Sequence, residues 1–353
     1  MNGSYDYYGS GGSYYDTYVN EQLTSAKKTY SNAALAILTY LLVSNIAVLA
    51  GHFIMIILLG RDEAAKLITE NIYVTYLFNF VSQYVLAFPA LFLVLRSKQP
   101  MQVEGEKLSG KEFLIAFLIS QAFMQAGSII GEALNATIGG FLGGEIPNDV
   151  SDMIMDTPIW LVILFVVVIG PIFEELIFRK LVFDRVSRYG TLTAIVSTSI
   201  AFGLFHGNLY QLFYAAALGL VLGFLYAKTR NVLYPIAMHM LINFFGTVPA
   251  LLLADSLDRF YEVLERLAQD PSFDMTPYYG DLAAIGAYSF FQNALVIAGV
   301  VLLISYVRQR KLTVHERCEF KLPREHAFST VFTNVGSIIF FVFSALTIIL
   351  NLS

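Results

Sequence analysis

The sequence predicts an all-α fold, a polytopic bundle of membrane-spanning helices. Of its 353 residues, 56% are hydrophobic and only 14% are charged, and the mean hydropathy is +0.63. Soluble domains carry about 25% charged residues, so this composition is typical of a membrane protein. The apolar residues are also grouped into long stretches, and about 20 of them in a row can cross the hydrocarbon core as a helix.

Nine apolar stretches are candidate spans. They are the segments 34–59, 72–95, 112–137, 158–182, 191–207, 209–227, 232–253, 284–307 and 329–350. The fifth, at 191–207, is the shortest, so we predict about nine spans, with eight as the lower bound. Residues 1–33, rich in Tyr, Gly and Ser, predict a disordered cytoplasmic tail, and residues 34–353 predict a single transmembrane domain.

The distribution of basic residues predicts the orientation. With the N-terminus inside, eighteen of the 22 Lys and Arg residues fall on the cytoplasmic side, most densely in the loop at 308–328. The loop at 254–283 is acidic and carries a short amphipathic pattern (Leu257, Tyr261, Leu264 and Leu267), so we place it outside. No basic nucleic-acid surface is visible, and the single Cys318 excludes an intramolecular disulfide or a cysteine-rich metal site.

Charged residues inside one span are the first functional signal. Glu174, Glu175 and Arg179 lie in the apolar fourth stretch, and a charge there costs at least about 2.5–3.5 kcal/mol on insertion scales. Glu175 and Arg179 are four residues apart and share a helix face, whereas Glu174 points elsewhere and has no local partner. Pro171 has no N–H to donate, so we expect a kink or opening just before the acids.

Further polar residues occur in later spans. His206 lies near the end of the fifth stretch, and the seventh contains Pro235, His239 and Asn243 at steps of four residues, hence on one face. Burying these groups in separate places would be costly, so we predict that they converge with Glu174 and Glu175. A purely structural network is the alternative.

Such a cluster could activate water. A carboxylate is a suitable general base, an imidazole can orient water, and the N–H groups of His239 and Asn243 could stabilise an oxyanion. Glu174, His206 and His239 would also provide a catalytic zinc ion with three ligands. The sequence contains neither His-Glu-x-x-His nor Gly-x-Ser-x-Gly.

The three motifs together resemble those of the CPBP intramembrane protease family, which contains the type II CAAX prenyl endopeptidases and bacterial relatives linked to bacteriocin processing or immunity. They are Glu174-Glu175-x-x-x-Arg179, Phe202-x-x-x-His206 and His239-x-x-x-Asn243, in this order on successive spans. The resemblance covers roughly residues 158–253, which would form the catalytic core.

The resemblance implies an intramembrane endopeptidase acting on a membrane-associated substrate, either prenylated and CAAX-like or a leader peptide, in a bacterial cell membrane. Glu174 would be the general base, assisted by His206, with Glu175 and Arg179 supporting the site. His239 and Asn243 would stabilise the oxyanion. A glutamate mechanism without a cofactor is preferred, with zinc held by Glu174, His206 and His239 as the alternative.

Two other functions stay open at this stage. The chain could be a non-catalytic member that binds a membrane protein or peptide, as a scaffold or immunity factor, or a transporter using Glu174 as a proton relay. An inverted repeat with paired broken helices would favour the transporter, and none is evident. A shared site also requires Glu174 and His206 to lie at one depth, so we predict a long fourth helix ending near Arg188.

Overall fold

The computed structural model describes residues 11–96 and 99–352, and it is built of helices and the turns that join them. The helices, in chain order, are α1 (Gly11–Leu59), α2 (Arg61–Glu70), α3 (Ile72–Leu95), α4 (Gly110–Leu142), α5 (Asp149–Met155), α6 (Ile159–Tyr189), α7 (Thr191–Phe205), α8 (Leu209–Thr229), α9 (Leu233–Leu252), α10 (Ala254–Gln269), α11 (Thr276–Arg308), α12 (Arg324–Phe332) and α13 (Val335–Leu350). The predicted all-α membrane bundle is confirmed.

Each of the nine predicted stretches is helical, but the helices that could span a membrane number near eight. Seven in the described chain are long and apolar enough to cross, and α12 with α13, bent by 60°, makes an eighth if counted as one span. The remaining stretch forms α7, which has only 15 residues. At about 1.5 Å per residue this helix is shorter than the hydrocarbon core, which is about 30 Å thick.

The predicted disorder of residues 1–33 is wrong from Gly11 onwards, where α1 begins. Residues 1–10 lie outside the described part. The helix is held by tertiary contacts that composition does not reveal: Ala26 and Tyr30 are buried, and the hydroxyls of Ser25 and Tyr189 are hydrogen-bonded at 2.8 Å. Burial against the bundle therefore stabilises a segment whose Tyr, Gly and Ser content alone suggested a solvated tail.

The acidic loop and the basic loop differ slightly from their predicted bounds. The amphipathic pattern at 254–283 forms α10, and α11 already begins at Thr276. The basic segment between α11 and α12 spans 309–323, and we call it the inner strap. Its backbone is tied to the end of α6, because Glu319 and Phe320 both donate their N–H groups to the Arg188 carbonyl at 2.9 Å.

Two apolar cores hold the bundle together. The larger lies between α1, α3, α6, α7, α8, α12 and α13, and the smaller joins α4, α8 and α9. A stripe of small residues on α8, which includes Gly219 and Gly223, lies against α7. A Cβ on Gly219 would approach the Ser199 Cα to 3.0 Å, and one on Gly223 would approach the Ile195 side chain to 3.4 Å. Close packing is therefore the role of this stripe.

The turn between α6 and α7 sets the depth of the polar residues. Gly190 adopts φ 131°, a conformation that disfavours any residue with a Cβ. Glu174 and His206 are equally far from Gly190 along the chain. Phe178 and Phe202 are also equally far from it, and their ring centroids lie 5.1 Å apart. Since α6 continues to Tyr189, as predicted, the two helices form a hairpin that brings Glu174 and His206 to one level.

Candidate active site

Glu174 and Glu175 lie in a short α-helical turn of α6 between two π-helical stretches. The π stretches cover Ile163–Ile169 and Leu176–Phe183, and the turn covers Gly170–Glu175. The first stretch agrees with the opening predicted from Pro171: Gly170 donates its N–H to the Phe165 carbonyl, five residues back. Such π insertions are frequent at functional sites, where they alter which way side chains point.

The predicted pairing of Glu175 with Arg179 is present. Arg179 Nε lies 3.0 Å from Glu175 Oε2, and both side chains are fully buried. The N–H does not point along this line, so the contact is an ion pair without a well-formed hydrogen bond. Arg179 also lies over the Phe202 ring, with its Cζ 5.4 Å from the centroid. A buried charge of this kind depends on its counter-ion.

His239 lies between the two glutamates. Its Nδ1 is 3.1 Å from Glu175 Oε1, a hydrogen bond, whereas its Nε2 is 3.8 Å from Glu174 Oε2, beyond hydrogen-bonding distance. Because a carboxylate accepts, Nδ1 carries the proton of this bond. Glu175 therefore fixes the orientation of the His239 ring and leaves Nε2 on the side of Glu174.

Phe202 joins the two histidines. Its ring makes edge-to-face contacts with His206 at 5.0 Å and with His239 at 5.8 Å between centroids. The Phe202 carbonyl accepts from His206 Nδ1 at 2.8 Å, so His206 Nε2 is the free nitrogen. Glu174 and His239 are both close enough to His206 to interact with it electrostatically.

Glu174 is the partly exposed glutamate of the cluster. Its side chain is 24% exposed, whereas Glu175 is fully buried, and it makes no hydrogen bond to the described side chains. Three tyrosines from other helices also interact with it electrostatically, and no sequence motif pointed to them (Tyr40, Tyr84 and Tyr214). Glu174 is therefore free to contact a water molecule or a substrate.

Asn243 contacts the same region of α6 through the backbone. Its Nδ2 donates to the Val166 carbonyl at 2.8 Å. Val166 lies five residues before Pro171. In a π-helix its carbonyl would accept the N–H of residue 171, but a proline has no N–H to donate. Asn243 thus satisfies an acceptor that the proline leaves open, and its second N–H stays available. The missing N–H of Pro171 was the indication of this contact in the sequence, although Val166 was not predicted as the acceptor.

A metal site is not assembled by these side chains in the structure. Among the described residues, no group of three or more His, Cys, Asp or Glu side chains is placed to hold a metal ion. In the cluster, His239 Nδ1 is hydrogen-bonded to Glu175, and His206 Nδ1 is hydrogen-bonded to the Phe202 carbonyl. We therefore derive no step through zinc, and the set Glu174, His206 and His239 stays a prediction.

The comparisons with known proteins agree with the motifs. Residues 156–245 match the family model described as "Type II CAAX prenyl endopeptidase Rce1-like". YdiL of Bacillus subtilis (strain 168) is 34% identical over 98 residues, which are 28% of this chain and 39% of that protein. "Membrane-embedded CAAX protease MroQ" of Staphylococcus aureus (strain USA300) is 26% identical over 189 residues, 51% of this chain and 76% of that protein. No solved structure matches the chain.

The matched segment contains all six of the predicted site residues (Glu174, Glu175, Arg179, His206, His239 and Asn243). It begins just before α6 and ends within α9, so it covers the hairpin and the two helices that follow. Through this segment the chain is similar to proteins of the CPBP intramembrane protease family, and it spans well under half the length of YdiL.

Proposed function

We propose that this chain is an intramembrane endopeptidase that hydrolyses a peptide bond of a membrane-associated substrate with water activated by Glu174. The observation that carries the proposal is the contrast between the two glutamates. Glu175 is fully buried and paired with Arg179 and His239, whereas Glu174 is partly exposed and faces the Nε2 side of His239. A structural network alone does not require a partly exposed carboxylate that makes no hydrogen bond to the described side chains and lies beside two histidines.

The first step is proton transfer from water. The Nδ1–H of His206 is used by the Phe202 carbonyl, so the neutral ring presents a lone pair at Nε2. Water held between this nitrogen and the Glu174 carboxylate loses a proton to Glu174 while its oxygen attacks the scissile carbonyl carbon. Proton transfer to a positioned base contributes typically about 10²–10⁴-fold to a rate.

The second step requires donors for the oxyanion that forms on the carbonyl oxygen. The second N–H of the Asn243 amide is one donor, and the Nε2–H of a doubly protonated His239 is the other. Glu175 accepts from the opposite side of that ring, so the ring does not turn as charge develops. The C–N bond then breaks, and Glu174 returns its proton to the leaving amine.

Substrate class and orientation are part of the same proposal. The family description and the MroQ name both refer to CAAX proteases, so a peptide anchored near the membrane surface is the substrate we favour, either CAAX-like and prenylated or a leader peptide. We place the N-terminus on the cytoplasmic side of a bacterial cell membrane, as the basic residues predict.

The test is cleavage of a library of membrane-anchored peptides by the purified chain. We expect wild type to cleave at least one peptide class and Glu174→Gln to be slower by about 10²-fold or more. Glu132→Gln is the matched control, because Glu132 is an exposed glutamate on α4. Cleavage that survives Glu174→Gln would overturn the base assignment. A wild type that binds peptides and cleaves none would favour the non-catalytic scaffold or immunity function.

Metal dependence is tested on the same sample. We propose that no metal takes part, so chelators should leave the rate unchanged and elemental analysis should find no stoichiometric zinc. Loss of cleavage with a chelator, restored by zinc and not by magnesium, would replace the glutamate mechanism with the zinc alternative.

A further inference from the structure

A cavity lies apart from the candidate active site. It has a volume of about 680 Å³, within the range of about 300–1,000 Å³ found for ligand pockets. Its walls come from α4, α7, α8 and the end of α11, and residues 311–317 of the inner strap close one end. None of the six predicted site residues lines it, so the proposed peptidase chemistry does not account for it.

The inner strap is anchored over this cavity by hydrogen bonds to the start of α7. Glu316 accepts from the Thr191 N–H, and the Arg317 N–H donates to Thr191 Oγ1 at 3.1 Å. The strap therefore bridges from α11 to α7 across α8. These bonds hold the walls of the cavity in place, which distinguishes it from a groove between loosely packed helices.

The interior of the cavity is apolar. Its lining includes Ile119, Phe123, Leu220, Val221, Phe224 and Leu303. Aliphatic and aromatic side chains surround this space on three helices. An interior of this kind excludes a polar peptide or a nucleotide and fits a hydrocarbon chain.

The mouth of the cavity is charged, and one cation there has no counter-ion. Glu112 is paired with Lys228 at 2.6 Å, and Glu106 with Arg317 at 2.9 Å. Lys311 is exposed and makes no ion pair within the described part of the chain; its Nζ lies 5.7 Å from the Tyr306 ring centroid. With both acids already paired, Lys311 leaves a net positive charge at the mouth.

We propose that this cavity binds one acyl chain of an anionic phospholipid, with the lipid phosphate at Lys311. The apolar interior surrounds the acyl chain, and the Lys311 ammonium, which has no ion-pair partner in the described chain, pairs with the negative headgroup. The mouth lies on the side that the basic residues predict to be cytoplasmic, where anionic lipids attract lysine and arginine. Charge complementarity therefore selects an anionic lipid over a zwitterionic one.

The test uses the full chain in nanodiscs of phosphatidylcholine that contain a trace of photoreactive lipid, with a diazirine in the acyl chain. Photoreactive phosphatidylglycerol should label peptides of α8 around Leu220–Phe224 and of α4 around Ile119–Phe123. Photoreactive phosphatidylcholine should label them weakly. Equal labelling by the two lipids, or labelling spread over the outward faces of all helices, would overturn the proposal. This readout needs no variant, so it does not depend on how a substitution folds.

Two variants test the contact with the lipid headgroup and the contact with the acyl chain independently. Lys311→Gln should weaken phosphatidylglycerol labelling about fivefold, the effect of one basic residue at a membrane surface, and leave phosphatidylcholine unchanged. Lys27→Gln is the matched control, since Lys27 is an exposed lysine on α1 outside the cavity. Leu220→Trp should block labelling by both lipids. Unchanged labelling in Lys311→Gln would contradict the headgroup assignment.

Discussion

His239 donates a hydrogen bond from Nδ1 to Glu175 Oε1 across 3.1 Å, and its Nε2 stands 3.8 Å from Glu174 Oε2. One imidazole from α9 is thus oriented by the buried glutamate of α6 and directed toward the exposed one. The two adjacent glutamates therefore have different surroundings. Glu175 belongs to a buried chain of three groups that runs from Arg179 to His239, whereas the Glu174 side chain is partly exposed.

Replacing Glu175 should destabilise the protein. Glu175→Gln leaves the guanidinium of Arg179 buried without a counter-ion, and breaking a buried pair costs about 3–5 kcal/mol. Glu174→Gln, at a partly exposed side chain that makes no hydrogen bond to the described side chains, should change stability by less than about 1 kcal/mol. Thermal unfolding of the two variants in the same detergent measures the difference.

A double variant then separates positioning from stability. In Glu175→Gln/Arg179→Met both charges are gone, so the loss of stability should be smaller than the sum of the two single losses. Cleavage should stay low, because His239 has lost the carboxylate that orients it. Recovery of cleavage together with stability would show that Glu175 has only a structural role.

The Asn243 contact can be tested through the proline. Asn243→Leu removes the donor to the Val166 carbonyl, and an unsatisfied buried acceptor costs about 1–3 kcal/mol. Pro171→Ala returns an N–H to the helix that can serve this carbonyl. Chemical unfolding should therefore show that Asn243→Leu is less damaging in the Pro171→Ala background. Equal losses in both backgrounds would mean that the proline does not create the need for Asn243.

Sequence reasoning predicted the helical bundle and the contact between Glu175 and Arg179 because each rests on local rules. Spacing of four placed Glu175 beside Arg179, and the length of apolar stretches marked the helices. The pairing of His239 with Glu175 could not be obtained this way. Periodicity shows which face of α9 carries His239, but the rotation of α9 against α6 depends on packing over the whole interface.

The failure at residues 11–33 has the same physical origin. Composition reports what a segment prefers in water, and Tyr, Gly and Ser favour a solvated chain. The contact between Ser25 and Tyr189 joins residues 164 positions apart, so no local rule reveals it. The level of Glu174 relative to His206 was easier to predict, because a shared site requires a long fourth helix ending near Arg188, and α6 does continue to Tyr189.

The position of His206 should depend on how closely α7 approaches α8. A Cβ on Gly203 would meet the Leu212 carbonyl oxygen and stand 2.9 Å from the Ala216 Cβ, so Gly203→Ala forces the two helices apart. We expect a loss of about 1–3 kcal/mol from overpacking and slower cleavage, since Phe202 and His206 move with α7. Gly140→Ala on α4 is the control, because a Cβ there meets nothing within 4 Å. Stability and cleavage unchanged in Gly203→Ala would contradict this account.

The orientation in the membrane can be read from Cys318, the one cysteine in the sequence. It lies in the inner strap and is partly exposed, so with the N-terminus inside it faces the cytoplasm. Burial, together with the nearby Glu316 carboxylate, raises the pKa of the Cys318 thiol. The thiolate is the reactive form, so labelling should be slow at neutral pH and faster as the pH rises.

A membrane-impermeant maleimide at mildly alkaline pH should therefore label Cys318 in permeabilised cells and leave it unlabelled in intact cells. The control is Ser272→Cys in a Cys318→Ser background, because Ser272 is exposed in the turn between α10 and α11, on the predicted outer side. That cysteine should react in intact cells. Labelling of Cys318 in intact cells, with protection of the cysteine at 272, would reverse the orientation and move the mouth of the lipid cavity to the outer leaflet.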